Sequence, residues 1–294
     1  MKSFIVVIPF AVSLGLIFAC VFLIRVWTRR QDWRSPLHGK KIPFLPGQQL
    51  TRRLAEHSEG ISLAVVIMYF AMPIMLLAWA VTRLEWAQIH FGKADWLYVV
   101  AGLVLFGMGL RQYLRHLKSF YRVRDGLFAE QVTGQALDRL SGPQCRVAHD
   151  IPCEGFNIDH VLIAPHAVYA IETKSVRKRT RKGENAHKVL YDGQSLKFPG
   201  HSDTRPIEQA RRQAQWLRAY LRQALDRDIP VKPAVALPGW WIDRTDTARQ
   251  AEVVVFTPMG RGAEFLLRGP EILDAQQRAQ IAQAIAQRYP VVEA

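Results

Sequence analysis

Two long apolar runs dominate the first third of the chain. Phe4–Ile24 and Ile61–Val81 carry no charge. Each approaches the roughly 20 residues an α-helix needs to cross a bilayer. Pro73 lies inside the second run, where a membrane helix tolerates it better than a soluble one does. A third run, Trp96–Leu110, is shorter and reaches the length of a span only if extended to about 95–112. Gly102, Gly107 and Gly109 would let it pack closely against other helices. A buried or interfacial helix is the alternative reading of this third run.

The pattern changes after residue 112. Residues 112–124 predict a basic helical connector. Phe128, Val132, Ala136 and Leu140 recur every four residues, which predicts a helix over Asp125–Leu140. Ser141-Gly142-Pro143 ends it. Arg146–Ile151, Asn157–Ala164 and Ala167–Thr173 are short, rich in Val and Ile, and divided by turn residues, so they predict strands. Pro165-His166 is a link short enough for a hairpin between the last two. A second hairpin is predicted over Lys188–Phe198, turning at Asp192-Gly193. Arg205–Ala224 is amphipathic, with Ile207, Ala210, Ala214, Leu217, Leu221 and Ala224 at helical spacing. Val231–Leu237 and Glu252–Phe256 predict strands, and Pro270–Arg288 a terminal helix. This order predicts an α/β domain with a mixed central sheet flanked by helices, preceded by an all-α membrane region. The divisions expected are 1–114 for the membrane region, with spans near 4–24, 61–81 and 95–112; 115–228 for the core; and 229–294 for strands and a helix that complete the domain.

Charge gives this reading an orientation. The net charge is +14, and residues 25–53 supply +7 of it: Arg25, Arg29, Arg30, Arg34, Lys40, Lys41, Arg52 and Arg53 against Asp32. Positive charge beside membrane spans is primarily a topology signal, so this excess argues only weakly for nucleic acid. In loop 83–95, Arg83 and Lys93 balance Glu85 and Asp95. After the third run come Arg111, Arg115, Lys118, Arg122 and Arg124. With three spans the amino terminus lies outside and the large carboxyl-terminal region is cytoplasmic. The expectation is an integral protein of the inner or plasma membrane. Trp27, Trp33, Trp79, Trp86 and Trp96 stand near the span ends, as interfacial aromatics do. A cleaved signal peptide is the competing reading of Met1–Ile24. The run is long for one, and only Lys2 precedes it, so an uncleaved anchor is favoured. The spans hold no internal charges of the kind transport sites show, which argues against a transporter or channel. Cys20, Cys145 and Cys153 have no metal-binding spacing and read as free structural thiols in a reducing compartment.

Candidate chemistry sits on the two central strands. Asn157-Ile158-Asp159-His160-Val161 places Asp159 on one apolar strand, and Ile171-Glu172-Thr173-Lys174 ends the next. Lys174 is two residues beyond Glu172, hence on the same strand face. An abrupt Glu-x-Lys at the end of an otherwise apolar strand is costly unless it serves a site. Phosphodiester hydrolysis needs an activated water, neutralised phosphate charge and help for the leaving oxygen, and a divalent cation can serve all three. Hard ions such as Mg²⁺ or Mn²⁺ favour oxygen ligands. Asp159 and Glu172 would supply carboxylates, and the backbone carbonyl of Thr173 a third ligand. Lys174 can contact the attacking water and the developing charge. A surface ion pair at a strand end is the alternative reading of the same residues. His160 points opposite to Asp159, which suits a structural role, and His149, His166, His187 and His201 show no ligand spacing. Arg177, Lys178, Arg179, Arg181 and Lys182 form a basic loop suited to phosphates or to anionic lipid.

These motifs resemble the NERD (nuclease-related domain) family, a branch of the PD-(D/E)XK nuclease-like fold. The resemblance rests on Gly126-x-x-x-Glu130, Ile158-Asp159-His160-Val161, Tyr169-Ala170-Ile171-Glu172-Thr173-Lys174, and Gln209 at the head of a helix. It covers residues 122–226. It implies a restriction-endonuclease-like core in which Asp159 and Glu172 are metal ligands, Lys174 is catalytic, and Glu130 and Gln209 border the site. Glu130 also reads as a solvated helix residue. Gln209 shares a stripe with Gln213, Trp216 and Tyr220. The Trp-containing segment often seen after the lysine strand is replaced here by the basic run Arg177–Lys182. The implied function is a membrane-anchored, Mg²⁺- or Mn²⁺-dependent nuclease acting on DNA, or less readily RNA. A non-catalytic scaffold tethering nucleic acid or a partner to the membrane is the alternative.

Overall fold

The computed structural model describes residues 45–82, 93, 96–178 and 187–290. The first apolar run, the basic segment as far as residue 44, nearly all of loop 83–95, Trp27, Trp33, Trp86, Cys20, and Arg179, Arg181 and Lys182 lie outside them. Contacts divide the described residues into two compact units, one containing 55–120 and one containing 45–54 and 121–290.

The first unit is a pair of antiparallel helix segments. Helix α1 spans Gln48–Thr82, with Pro73 inside it. Helix α2 spans Trp96–Asp138 without a break. The sequence predicts an apolar run over 96–110, a helical connector over 112–124 and a helix over 125–140, and the structure joins all three into one helix. No proline or glycine pair interrupts 111–124, so the helix continues through the polar connector. His57 meets His116, their Nδ1 atoms 3.4 Å apart. Gly60 faces the His116 ring, and Gly109 faces Met68 closely enough that a Cβ there would lie 2.7 Å from its Cγ. Gly109 thus makes the close approach expected of it, whereas Gly107 faces open space. Leu63, Val66, Tyr69, Phe70, Ile74 and Leu76 of α1 are exposed, as are Leu103, Val104 and Met108 of α2. Among the described helices α1 alone is long and apolar enough, over Gln48–Ala80, to cross a bilayer.

The second unit is built on a five-stranded sheet whose strands lie in the order Arg146–Pro152, Asn157–Ile163, Val168–Thr173, Val231–Ala236, Val254–Phe256. Its first three strands are β1 Arg146–Pro152, β2 Asn157–Ile163 and β3 Val168–Thr173. They form an antiparallel meander that turns at Pro165-His166 as predicted. A second sheet follows, containing β4 Lys188–Tyr191, β5 Leu196–Phe198 and β6 His201–Asp203. Helix α3, Arg205–Leu225, then leads to β7, Val231–Ala236, which pairs parallel to β3. Strand β8, Trp241–Arg244, joins the second sheet beside β4. After the short helix α4, Asp246–Arg249, comes β9, Val254–Phe256, parallel to β7. Helix α5, Ala275–Ala286, follows and opens with a capping box in which Asp274 and Gln277 exchange bonds. The large sheet is therefore mixed, as the sequence predicts.

One face of that sheet packs Val161, Ile163 and Ala170 against Ala214, Leu217 and Leu221 of α3 and Ile281 and Ile285 of α5. The other packs Leu162, Tyr169 and Ile171 against Leu137 of α2, Phe256 and Leu266. Strands β2 and β3 are apolar on both faces because both are covered. Trp216 stacks on Tyr220 at 5.4 Å, and Arg288 lies over both rings.

Candidate active site

The register of the meander sets the site. His149 pairs with His160, and His160 with Ile171. One step further along both ladders, Asp150, Asp159 and Glu172 share a row. The regular pairing fails at that row. Asp150 adopts a left-handed backbone, with φ of 49°, a conformation that Asp tolerates better than most residues. The Asp159 carboxylate replaces a ladder partner, its Oδ2 accepting the Thr173 backbone N–H at 2.7 Å. Thr173 thus meets Asp159 through its amide.

Glu172 is buried, and its carboxylate is fully engaged. Lys174 Nζ lies 2.7 Å from Oε1, which confirms that the two residues share a face. Helix α3 brings two amides to the other oxygen: Gln209 Nε2 and Gln213 Nε2 donate to Oε2 at 2.7 and 2.6 Å. Lys174 also donates to Gln209 Oε1 at 3.1 Å. Lys174, Glu172 and Gln209 therefore close a ring of bonds. The second amide was missed as a partner in the sequence, although the four-residue spacing from Gln209 places it one turn further along the same face. Gln213 Nε2 donates to Asn157 O as well, while its buried Oε1 has no partner among the described residues.

Glu130 of α2 and Asp150 complete a cluster of four buried carboxylates. Burial, then the charges of Asp150 and Glu172, raises the Glu130 pKa to about 8. Burial, then Glu172 and Glu130, pushes Asp159 well above the usual carboxylate range. Asp150 is raised by burial, against bonds from the Gln49 N–H at 2.8 Å and the Asn157 amide at 2.7 Å. Nothing in the local sequence marks Asp150, because its role depends on a left-handed backbone and on a partner 101 residues away. Several carboxyls forced together in a poorly solvated place retain protons or attract cations.

Residues 125–238 match the model of NERD, the nuclease-related domain. No curated protein and no solved structure matches the chain. The match is consistent with the PD-(D/E)XK-like nuclease superfamily, and the matched segment contains Glu130, Asp150, Asp159, Glu172, Lys174, Gln209 and Gln213.

Behind Asp159, His160 points away from the cluster. Its Nδ1 lies 2.9 Å from His149 Nδ1, and His149 Nε2 lies 2.9 Å from Asp138. Burial, then His149, pushes His160 well below the usual histidine range, as suits a structural ring. Of the basic loop, Arg177 binds Asp125 at 2.5 Å and Lys178 lies over the Trp240 ring. Cys145 and Cys153 are free thiols. Among the described residues no group of three or more His, Cys, Asp or Glu side chains is arranged to hold a metal ion.

Proposed function

We propose that this protein is a membrane-anchored nuclease whose NERD domain hydrolyses phosphodiester bonds, with DNA the favoured substrate and RNA the second. The observation that carries this reading is the Lys174–Glu172–Gln209 ring beside Asp159. It offers a cation and carboxylates at one end of a rigid sheet, where catalytic groups are held without reorganisation. Asp159 and Glu172 are the residues that would hold Mg²⁺ or Mn²⁺, with Thr173 at the same strand end. The unpartnered Gln213 Oε1 and the raised carboxyls suit a cation or its water. When bound, the cation would neutralise phosphate charge and lower the pKa of a water. Lys174 would stabilise charge developing on the phosphate, and Gln209 holds the ammonium where Glu172 also reaches it. Glu130, held near neutral pH by a raised pKa, can accept or return a proton.

The anchor rests on α1 and on the two apolar runs that flank it. The basic segments favour a cytoplasmic NERD domain and bring the chain close to anionic lipid. The proposed organisation is a membrane region over 1–114, a nuclease core over 115–228 and a completing segment over 229–294.

The test is cleavage of plasmid, linear and single-stranded DNA by the full chain in detergent micelles with Mn²⁺, beside Glu172→Ala and Lys174→Ala. We expect cleavage by the parent and none by either variant. Equal activity in the variants would remove the site from the reaction.

A second reading has one specific observation in its favour. Both Glu172 oxygens are already occupied by side chains, which suits a tether that binds nucleic acid without cutting it. It predicts salt-sensitive binding that survives Lys174→Ala, with no cleavage in any divalent metal.

A further inference from the structure

The segment Leu45–Leu54 lies far outside the NERD match, yet it belongs to the same compact unit as the carboxylates. On α2, Gly126, Glu130 and Gly134 are spaced four apart and share one face. The two glycines leave a groove on either side of the glutamate, and the segment lies along it. Pro46 sits on Gly134 so closely that a Cβ there would fall 2.6 Å from its Cγ. Leu50 reaches Gly126, where a Cβ would meet its Cδ1 at 3.4 Å. Between them Gly47 crosses Glu130. A Cβ on Gly47 would lie 2.4 Å from Leu127 Cδ1 and 3.4 Å from Glu130 Oε2. Gly47 has φ of +73°, so glycine is required both for its backbone and for the space.

The seating is polar as well. Helix α1 begins at Gln48 with no acidic residue in its first turn, and the first amides of any helix need acceptors from elsewhere. One acceptor is Asp150, whose Oδ2 takes the Gln49 N–H at 2.8 Å. The same carboxylate that shares the row with Asp159 and Glu172 thus caps the start of the apolar helix. With the segment in place, Glu130 is 8% exposed, Asp159 7% and Glu172 3%. That is too little for a hydrated cation or a phosphate to reach them.

We propose that Leu45–Leu54 is a strap that closes the carboxylate cluster, and that it must lift off the Gly126–Glu130–Gly134 groove before the cluster can take a cation or substrate. This rests on the nuclease reading for what enters, but the closure itself does not. Because the strap is the beginning of α1, its seat is tied by the chain to the apolar helix.

The test uses the full chain in detergent, with Cys20, Cys145 and Cys153 replaced by serine. Pro46→Cys with Gly134→Cys locks the strap on oxidation. The Pro46 Cβ lies 2.8 Å from an ideal Cβ at 134, and a shift of about 1 Å brings the pair to disulfide spacing. Gly47→Val opens the strap instead. The first readout is modification of Glu130 by a carbodiimide, a reagent that attacks protonated carboxyls and needs no enzymatic activity. We expect labelling at least tenfold slower in the oxidised pair than in the reduced pair, and faster than the parent in Gly47→Val. Equal rates in all four forms would overturn the strap. The second readout is cleavage with Mn²⁺, lost on oxidation and restored by dithiothreitol. An oxidised form that cleaves as fast as the reduced one would also overturn it. A parent that never cleaves defeats the nuclease reading, while the labelling ratio still decides the strap.

Discussion

Glu130 sits in an environment at odds with its charge. Its pKa of about 8 in the folded protein stands above the ordinary 4.5. The folded state therefore holds a proton that the unfolded chain has released between those two values. Stability from this group is fully present below pH 4.5 and falls as the pH rises through 8. Each tenfold difference in proton affinity between the two states is worth about 1.4 kcal/mol, so the loss is on the order of a few kcal/mol. Glu130→Gln keeps the shape and removes the titration. We expect the variant to melt within a degree of the parent at pH 4.5 and several degrees above it at pH 9, as followed by circular dichroism in detergent. A parallel pH dependence in both proteins would place the buried charge elsewhere in the cluster.

At the scale of elements, strand β3 and helix α3 share one charged group. Removing the Lys174 ammonium leaves Glu172 buried with only its two amide donors. Lys174 is about a third exposed, with 32% of its side chain accessible, so water offsets part of the loss. We expect Lys174→Ala to cost about 1–3 kcal/mol and Glu172→Gln with Lys174→Met together to cost less than the single change. A thermodynamic cycle measures the coupling, and additivity would show that the pair is only a neighbourly contact. The meander was legible as short Val- and Ile-rich runs between turn residues, and α3 because a period-3.6 pattern survives where one face of a helix is buried. Strands β6 and β8, only three and four residues long, are too short to show a period. The start of α1 was illegible for a different reason. Hydropathy locates the apolar part from Ile61, whereas the helix begins at Gln48, where Pro46, Gly47 and Gln49 meet Gly134, Glu130 and Asp150 from distant parts of the chain. Asp159, Glu172, Lys174 and Gln209 could be read because each falls at a fixed place on an element. Asp150 and Gln213 depend on how the elements meet.

At the scale of the whole molecule two questions are physical ones. The first is the bilayer. Phe70 is 48% exposed on α1, near the middle of its apolar stretch, and an arginine there costs about 2.5–3.5 kcal/mol in a lipid environment. We expect the parent to remain with membranes after alkaline carbonate extraction and Phe70→Arg to be released or degraded. Complete release of the parent would remove the anchor. The second is where the folding unit ends. The NERD match stops at residue 238, but the two faces of its sheet are covered from beyond that point. Phe256, Leu266, Leu273, Ile281 and Ile285 are all fully or nearly fully buried. At about 1.5–3 kcal/mol each, losing them removes an amount comparable to the roughly 5–15 kcal/mol that holds a whole domain together. Tyr289 adds a bond from its hydroxyl to His149 O at 2.6 Å, and Arg288 one to Pro152 O at 3.1 Å. Both fasten the last turn of the chain to β1, the strand that carries Asp150. A chain of residues 125–238 alone is therefore expected to lack a cooperative thermal transition and to show poor amide dispersion by NMR, whereas the same segment extended to residue 290 should melt cooperatively. A cooperative transition in the shorter chain would mean that the matched segment covers its own sheet and that the carboxyl-terminal helix is an accessory.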